Sequence, residues 1–150
     1  MAIVKQVAGT KTALTCTGLG TLASATYVTS AVYNNTTNQP LDLMVELTVA
    51  TTNTPSGNQQ CVVFAQASYD NTNFQTGPGS GTTTTDEPLL TFLGIVAVAI
   101  TATTERKSFS VAAAYGGVLP PYVQIVVKND LGVALTTGTL ATSEISATVA

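Results

Sequence analysis

The stretch Leu41-Asp-Leu-Met-Val-Glu-Leu-Thr-Val49 shows the clearest structural pattern in the chain. Apolar residues occupy every second position from Leu41 to Val49. The residues between them are Asp42, Met44, Glu46 and Thr48. Successive side chains of a strand point to opposite faces, so this alternation predicts a β-strand with one face against a core and the other toward solvent.

The composition of the whole chain favours β structure as well. Threonine accounts for 28 of the 150 residues, and charged residues make up only 9%, against roughly 25% in a typical soluble domain. Threonine is β-branched and suits a half-buried pleated surface better than a helix. Hydrophobic residues make up 45% of the chain and the net charge is only -3, so the composition is not that of a disordered chain.

Further strand signals lie on both sides of this stretch, and no segment predicts a helix. A short β-prone arm at about residues 1–10, over Ala2 to Val7, precedes them. The other predicted strands include 26–33, 61–69, 89–100 with a bend at Gly94, 109–115, 122–128 and 143–149. About eight to ten strands at this spacing predict a single domain, residues 1–150, with an all-β, antiparallel two-sheet β-sandwich fold and a jelly-roll-like topology.

Polar turns and loops separate these strands. Gln75–Pro88 is the longest irregular stretch, and we expect it to be exposed and either mobile or in contact with a partner. Asp70-Asn71-Thr72-Asn73 predicts a turn held by its own side chains, with a calcium site as the weaker alternative. Pro120-Pro121-Tyr122 predicts a rigid corner first and a contact second. Glu105-Arg106-Lys107 predicts a charged loop, with interface contact and simple solvation equally open.

The residue types argue against an enzyme. The chain has no histidine, so Ser-His-Asp and Cys-His catalysis are excluded. Asp42 and Glu46 share one strand face about 13 Å apart, whereas paired glycosidase carboxylates stand roughly 5–9.5 Å apart. We interpret both as solvated charges and Asp86-Glu87 as a solubilising loop tip. The sequence predicts no catalytic residue, no cofactor and no metal site.

The two cysteines, Cys16 and Cys61, each fall within a predicted strand. A buried thiol there acts as a small apolar group. A bridge between them stays open at this stage, because it depends on whether their strands are neighbours.

The charge and hydropathy of the chain exclude several partners. Five basic residues and a pI near 4.5 provide no electrostatic surface for nucleic acid. The longest apolar run, Leu89–Ile100, is shorter than the roughly 20 residues that cross a bilayer, and the first residues lack the pattern of a secretory signal. We expect no nucleic-acid and no membrane partner. A surface with so little charge predicts instead that the chain buries part of it on another protein.

Three stretches form motifs that go beyond composition. Phe109-Ser-Val-Ala-Ala-Ala-Tyr-Gly-Gly-Val-Leu-Pro-Pro-Tyr122 leads into a β-prone run and the turn 129–135. Ser30–Asn38 with Leu41-Asp42, and Ala67–Phe74, precede it. Taken in their order along the chain, over about residues 26–135, the three stretches resemble segments of a family of small virion structural proteins of tailed bacteriophages. The family usually has glycine at the position of Asn71.

This resemblance implies a virion structural protein, assembled in the cytoplasm of the host bacterium. Its leading form is a capsid decoration (cement) protein that binds the major capsid protein and forms homo-oligomers in the virion. The alternative is a tail or head-fibre component, or an adhesin that contacts host surface glycan, for which Tyr69 and Phe74 are the candidate stacking aromatics. The β-prone arm could add a strand to the sheet edge of a neighbour. The sequence singles out no interface residue.

Overall fold

The computed structural model describes residues 3–149 and is almost entirely β. The ten strands are β1 (Val4–Ala8), β2 (Thr12–Leu14), β3 (Tyr27–Thr29), β4 (Tyr33–Asn34), β5 (Asp42–Ala50), β6 (Gln60–Ser68), β7 (Thr91–Ala97), β8 (Glu105–Ser110), β9 (Tyr122–Asp130) and β10 (Thr137–Val149). The helical elements are α1 (Val111–Ala114) and two 3₁₀ turns at Leu19–Thr21 and Glu87–Leu89.

The strands form two antiparallel sheets with a nested order of pairing. One sheet has the order β1-β10-β5-β8 with β2 beside β10, and the other has the order β3-β9-β6-β7 with β4 beside β9. The first strands of the chain pair with the last one, β3 and β4 pair with β9, β5 pairs with β8, and β6 pairs with β7. This is the strand order of a jelly roll. The predicted antiparallel β-sandwich is confirmed.

The alternation in β5 is confirmed with one exception. Its residues Leu43, Val45, Leu47 and Val49 are all fully buried. Leu41 was expected on the same face, but 49% of it is exposed. The reason is that β5 begins at Asp42, and the chain bends at Leu41 before the alternation of the strand applies.

A second apolar cluster lies on the outer face of the β6 sheet. It consists of Tyr27, Val62, Phe64, Leu90 and Val126. The irregular stretch 75–88 runs beside this face, where Thr29 Oγ1 donates to the carbonyl of Gly79 (2.7 Å) and the N–H of Tyr27 donates to Gly81 (3.0 Å). The stretch is therefore exposed over 80–86, as predicted, but its backbone is bound to β3 at Gly79 and Gly81.

Three segments differ from their predicted conformation. The strand predicted over 26–33 is divided into β3 and β4, with residues 30–32 outside both. Residues 109–115 were expected to be extended, yet the strand ends at Ser110 and α1 follows. Ser110 Oγ accepts a hydrogen bond from the N–H of Ala113 (3.1 Å), which is an N-cap, and the alanines that follow favour the helical turn. Glu105-Arg106-Lys107 was expected to be a loop, but it begins β8, because its backbone pairs with β5.

Both cysteines are free thiols. Cys61 lies buried in β6 as predicted, whereas Cys16 lies just outside β2 and is only partly buried. Burial raises the pKa of Cys61 to about 12, with a smaller contribution from the Asp130 carboxylate, and it raises the pKa of Cys16 to about 11.

The predicted β-prone N-terminal arm forms strand β1 of the first sheet. β1 pairs with the last five residues of β10, and all five of its own residues are exposed. Met1 and Ala2, where the prediction began, lie outside the described residues. None of the helices within residues 3–149 has the length and apolar character needed to span a membrane.

Candidate binding site

One end of the sandwich brings together parts of all three motif stretches, whereas the turn 129–135 of the third lies at the opposite end. The paired residues at this end include Asp42 with Ile145, Met44 with Ser110, and Ser68 with Tyr122. We call it the motif end and define it by the segments 30–41, 67–76 and 111–121. The pairing of Asn34 with Tyr122 places the first and third segments side by side.

A cleft of about 440 Å³, the Asn35 cleft, opens between the first and third segments. It is lined by Asn35, Thr36, Gln39, Pro40, Leu41, Gly117, Val118, Leu119 and Pro121. The N–H of Asn35 donates to the carbonyl of Pro121 (2.8 Å), and Nδ2 of Asn35 donates to the carbonyl of Leu119 (3.3 Å). These bonds fix the two walls of the cleft against each other.

Asn35 also carries an unsatisfied acceptor. Only 8% of the residue is exposed, and its Oδ1 is the only buried side-chain polar atom within residues 3–149 without a hydrogen-bond partner. Leaving such a group unpaired costs about 1–3 kcal/mol, so native proteins contain few of them. This oxygen is buried behind the wall of the cleft, at the place where the two motifs meet.

The rim of the Asn35 cleft is apolar. It continues into the edge of the sheet that contains β1 and β10. Leu41 is 49% exposed and Val118 is 71% exposed. The N–H of Leu41 donates to the carbonyl of Ile145 (2.7 Å), at the point where β10 leaves β5 and continues with β1. Most of the exposed large apolar side chains in the described part of the chain lie on this rim or on β1 and the end of β10: Ile3, Val4, Val7, Leu41, Val118 and Val149.

A second cleft of about 500 Å³, the aromatic cleft, lies at the same end. It is lined by Ala67, Ser68, Tyr69, Asn73, Phe74, Gln75, Thr76 and Tyr115. Tyr69 is 86% exposed. The hydroxyl of Tyr115 donates to Gln75 Oε1 (2.6 Å), and burial raises the pKa of Tyr115. The two aromatics singled out from the sequence, Tyr69 and Phe74, thus share one cleft, and Tyr115 joins them from the third motif.

The turn that borders the aromatic cleft is held by Asp70. Its Oδ1 accepts from the N–H groups of Asn73 (2.7 Å) and Thr72 (2.9 Å), and its Oδ2 accepts from Asn73 Nδ2 (2.6 Å). These hydrogen bonds, with the largest contribution from Asn73, hold the pKa of Asp70 well below its usual range. The predicted Asx turn is confirmed. Within residues 3–149, no three His, Cys, Asp or Glu side chains stand close enough together to hold a metal ion.

No protein-family model and no curated protein sequence matches this chain. The resemblance to virion proteins therefore stays a prediction.

The carboxylates considered from the sequence have separate partners. Asp42 binds the start of α1, where Ala112 N–H donates to its Oδ1 (2.8 Å). Glu46 pairs with Lys11 and, at 3.5 Å, with Arg106 Nε. The hydrogen bond from Lys11 is the main reason that the pKa of Glu46 is lowered. Asp42 and Glu46 therefore occupy two different contacts rather than one site.

Glu87 corrects the interpretation of Asp86-Glu87 as a solubilising tip. It accepts a hydrogen bond from the hydroxyl of Tyr27 and another from Lys128 Nζ (2.9 Å). Burial opposes ionisation of Glu87, but these two donors outweigh it and lower its pKa. Glu87 thus fastens the long loop to the outer face of the β6 sheet.

Proposed function

We propose that the chain is a structural protein of a tailed-phage virion, a capsid decoration protein that binds the major capsid protein through its motif end. The observation that supports this role is that segments of the three motif stretches (30–41, 67–76 and 111–121) meet at one end of the sandwich, where Leu41 and Val118 form an exposed apolar rim. Stable protein interfaces have an apolar centre and a polar rim. Leu41 and Val118 would supply such an apolar centre, and the polar residues Thr36 and Gln39 lie beside them in the Asn35 cleft.

The mechanism would be stabilisation by contact area. A standard interface buries roughly 1,600 Å² in total, and many copies on a symmetric lattice multiply its effect. A rigid sandwich suits this task, because little conformational entropy is lost when it binds. Apolar contacts made across the joints between capsid subunits would then raise the free energy needed to separate them.

The test is reconstitution on virions that lack the chain. Purified chain should bind them in stoichiometric amounts and raise the temperature at which they release DNA. Val118→Asp places a charge on the rim of the cleft and should weaken binding by at least about tenfold. Ile100→Asp is the matched control, because Ile100 is 62% exposed but lies at the opposite end of the sandwich. Equal binding of the two variants, or virions whose rupture temperature the chain does not change, would contradict the proposal.

A second candidate function is contact with a surface glycan through the aromatic cleft. Tyr69, Phe74 and Tyr115 surround it, with amide side chains of Asn73 and Gln75 beside them. Ligand sites commonly combine apolar and aromatic walls with a few polar groups. Tyr69→Ala should then abolish binding on a glycan array, whereas Phe92→Ala, which removes a 58% exposed aromatic outside the cleft, should not. No binding by the unmodified chain at millimolar glycan would exclude this function.

A further inference from the structure

β1 and the end of β10 form a two-stranded ribbon that extends beyond the rest of its sheet. β5 pairs with β10 only as far as Ile145, and β1 pairs with β10 from Ile145 to Val149. Within residues 3–149, neither the outer edge of β1 nor the β5 side of residues 146–149 has a strand beside it. Val4 is 67% exposed and Val149 is 74% exposed. An isolated two-stranded ribbon is at best marginally stable in water.

The hydrogen bonding of the ribbon determines which backbone groups of β1 are free. The N–H of Gly9 donates to the carbonyl of Glu144 (2.7 Å), one position beyond the pairing of Ala8 with Ile145. Hydrogen-bonded and non-hydrogen-bonded pairs alternate in an antiparallel ladder. Val7 and Lys5 therefore direct their backbone groups to β10. The N–H and C=O groups that point outward, away from β10, belong to Val4, Gln6 and Ala8.

We propose that β1 pairs antiparallel with β1 of a second copy of this chain, about a two-fold axis at Gln6. In this register Gln6 faces Gln6 of the second copy, and Val4 faces Ala8 of the second copy. Every outward N–H and C=O group of Val4, Gln6 and Ala8 then meets its complement. The dimer joins the two β10 sheets into one continuous sheet, which is a self-complementary two-fold interface.

Charge selects the same register. Lys5 is the only charged residue in β1, and a two-fold axis at Gln6 places it opposite Val7 of the second copy. An axis one residue earlier would place two copies of Lys5 directly opposite each other, which is unfavourable in a sheet. The other edge of this sheet, β8, begins with Glu105-Arg106-Lys107, so it presents a net positive charge to a strand that carries Lys5.

The edges of the second sheet are less regular than that of β1. β7 carries a bulge opposite Val63 and Phe64, and bulges interrupt the row of groups that a new strand needs. The β3 edge is covered by the long loop, because the N–H of Tyr27 donates to the carbonyl of Gly81 (3.0 Å). A second β1 is therefore the occupant that best fits the β1 edge. This inference concerns the purified chain and does not require a capsid.

The experiment is sedimentation equilibrium of the full chain over a range of concentrations. The chain should associate from the 15.3 kDa monomer to a dimer. Gln6→Pro removes an N–H that points away from β10 and makes no hydrogen bond to it. This variant should lose the dimer, because proline is tolerated on a strand edge but cannot donate a hydrogen bond. Gln6→Thr keeps that N–H and is the matched control, which should dimerise as before. Circular dichroism and thermal midpoints would verify that both variants fold.

A charge pair tests the register itself. Val4→Lys with Ala8→Lys places like charges opposite each other in the dimer, whereas Val4→Lys with Ala8→Glu places opposite charges there. The second double variant should dimerise roughly tenfold more tightly than the first. A monomer at every concentration, a dimer unaffected by Gln6→Pro, or equal association of the two charge variants would overturn the proposal.

Discussion

The backbone N–H of Ala112 donates a hydrogen bond to Oδ1 of Asp42 over 2.8 Å, and this bond ties the third motif to the first. The same carboxylate accepts from the hydroxyl of Ser110 (2.6 Å) and the N–H of Leu43 (2.7 Å). A single side chain at the start of β5 thus sets where β8 ends and where the helical turn begins. The corner that forms one wall of the Asn35 cleft follows directly after that turn.

Replacing this carboxylate should destabilise the fold. We expect Asp42→Asn to lower the free energy of unfolding by about 1–3 kcal/mol, because an amide replaces one acceptor oxygen with a donor and loses the charge-assisted bonds. Asp86→Asn is the matched control and should stay within about 0.5 kcal/mol, since Asp86 is exposed and its side chain caps nothing. Urea denaturation measures both. Equal effects would show that Asp42 does not hold this end together.

The contribution of Glu87 to the attachment of the loop 75–88 should be lost at acidic pH. Because the folded state lowers the pKa of Glu87, its contribution to stability is present above the ordinary glutamate pKa and is lost as the pH falls through the folded value. Glu87→Gln should therefore destabilise the chain at pH 7 and have less effect near pH 3. Urea denaturation of the original chain and of the Glu87→Gln variant across this pH range measures the free energy of unfolding of each. Glu105→Gln is the control, since Glu105 makes no ion pair within residues 3–149. A Glu87→Gln effect that is constant with pH would contradict this role.

The bulge in β7 opposite Val63 and Phe64 should require glycine at position 94. Gly94 has φ +152, and a Cβ there would stand 2.6 Å from Cε1 of Phe109. Gly94→Ala should cost roughly 1–3 kcal/mol, since the buried ring must move out of its place in the core. Gly20→Ala is the matched control, because the nearest atom to its Cβ would be the backbone nitrogen of Gly138 at 3.6 Å. Thermal unfolding compares the two, and similar midpoints would refute the argument.

The two thiols should differ in reactivity. Burial raises the pKa of both, to about 11 for Cys16 and about 12 for Cys61, so little reactive thiolate exists at neutral pH. Iodoacetamide at pH 8 should modify partly exposed Cys16 slowly and Cys61 only after unfolding. Mass spectrometry of the native and denatured chain measures this. Rapid labelling of Cys61 in the native chain would contradict its burial.

The sequence predicts what depends on local pattern and spacing. The alternation of β5 can be predicted because every second residue of a strand lies on the same face, whatever strand it pairs with. The Asp70 turn is readable for the same reason, since its bonds stay within a few residues. Many short strands of similar spacing predict a sandwich or barrel, whereas the nested jelly-roll order is set by pairing between distant strands.

Contacts between distant segments could not be predicted in this way. Asn35 and Leu119 meet only because β4 pairs with β9, and Glu87 is bound by Tyr27 and Lys128 from two other strands. The helical turn after Ser110 depends in part on Asp42, which lies far away in the chain. The Asn35 cleft, the role of Tyr115 and the free edge of β1 therefore emerge only in the folded chain.

Cryo-electron microscopy of tailed-phage virions reconstituted with the purified chain tests the proposed capsid role most directly. We expect ordered copies of the jelly roll on the outer surface of the capsid lattice, with Leu41 and Val118 facing the major capsid protein. Density for this fold in the tail or a fibre alone, no density in the virion, or a capsid-bound copy whose Asn35 cleft faces solvent would contradict it.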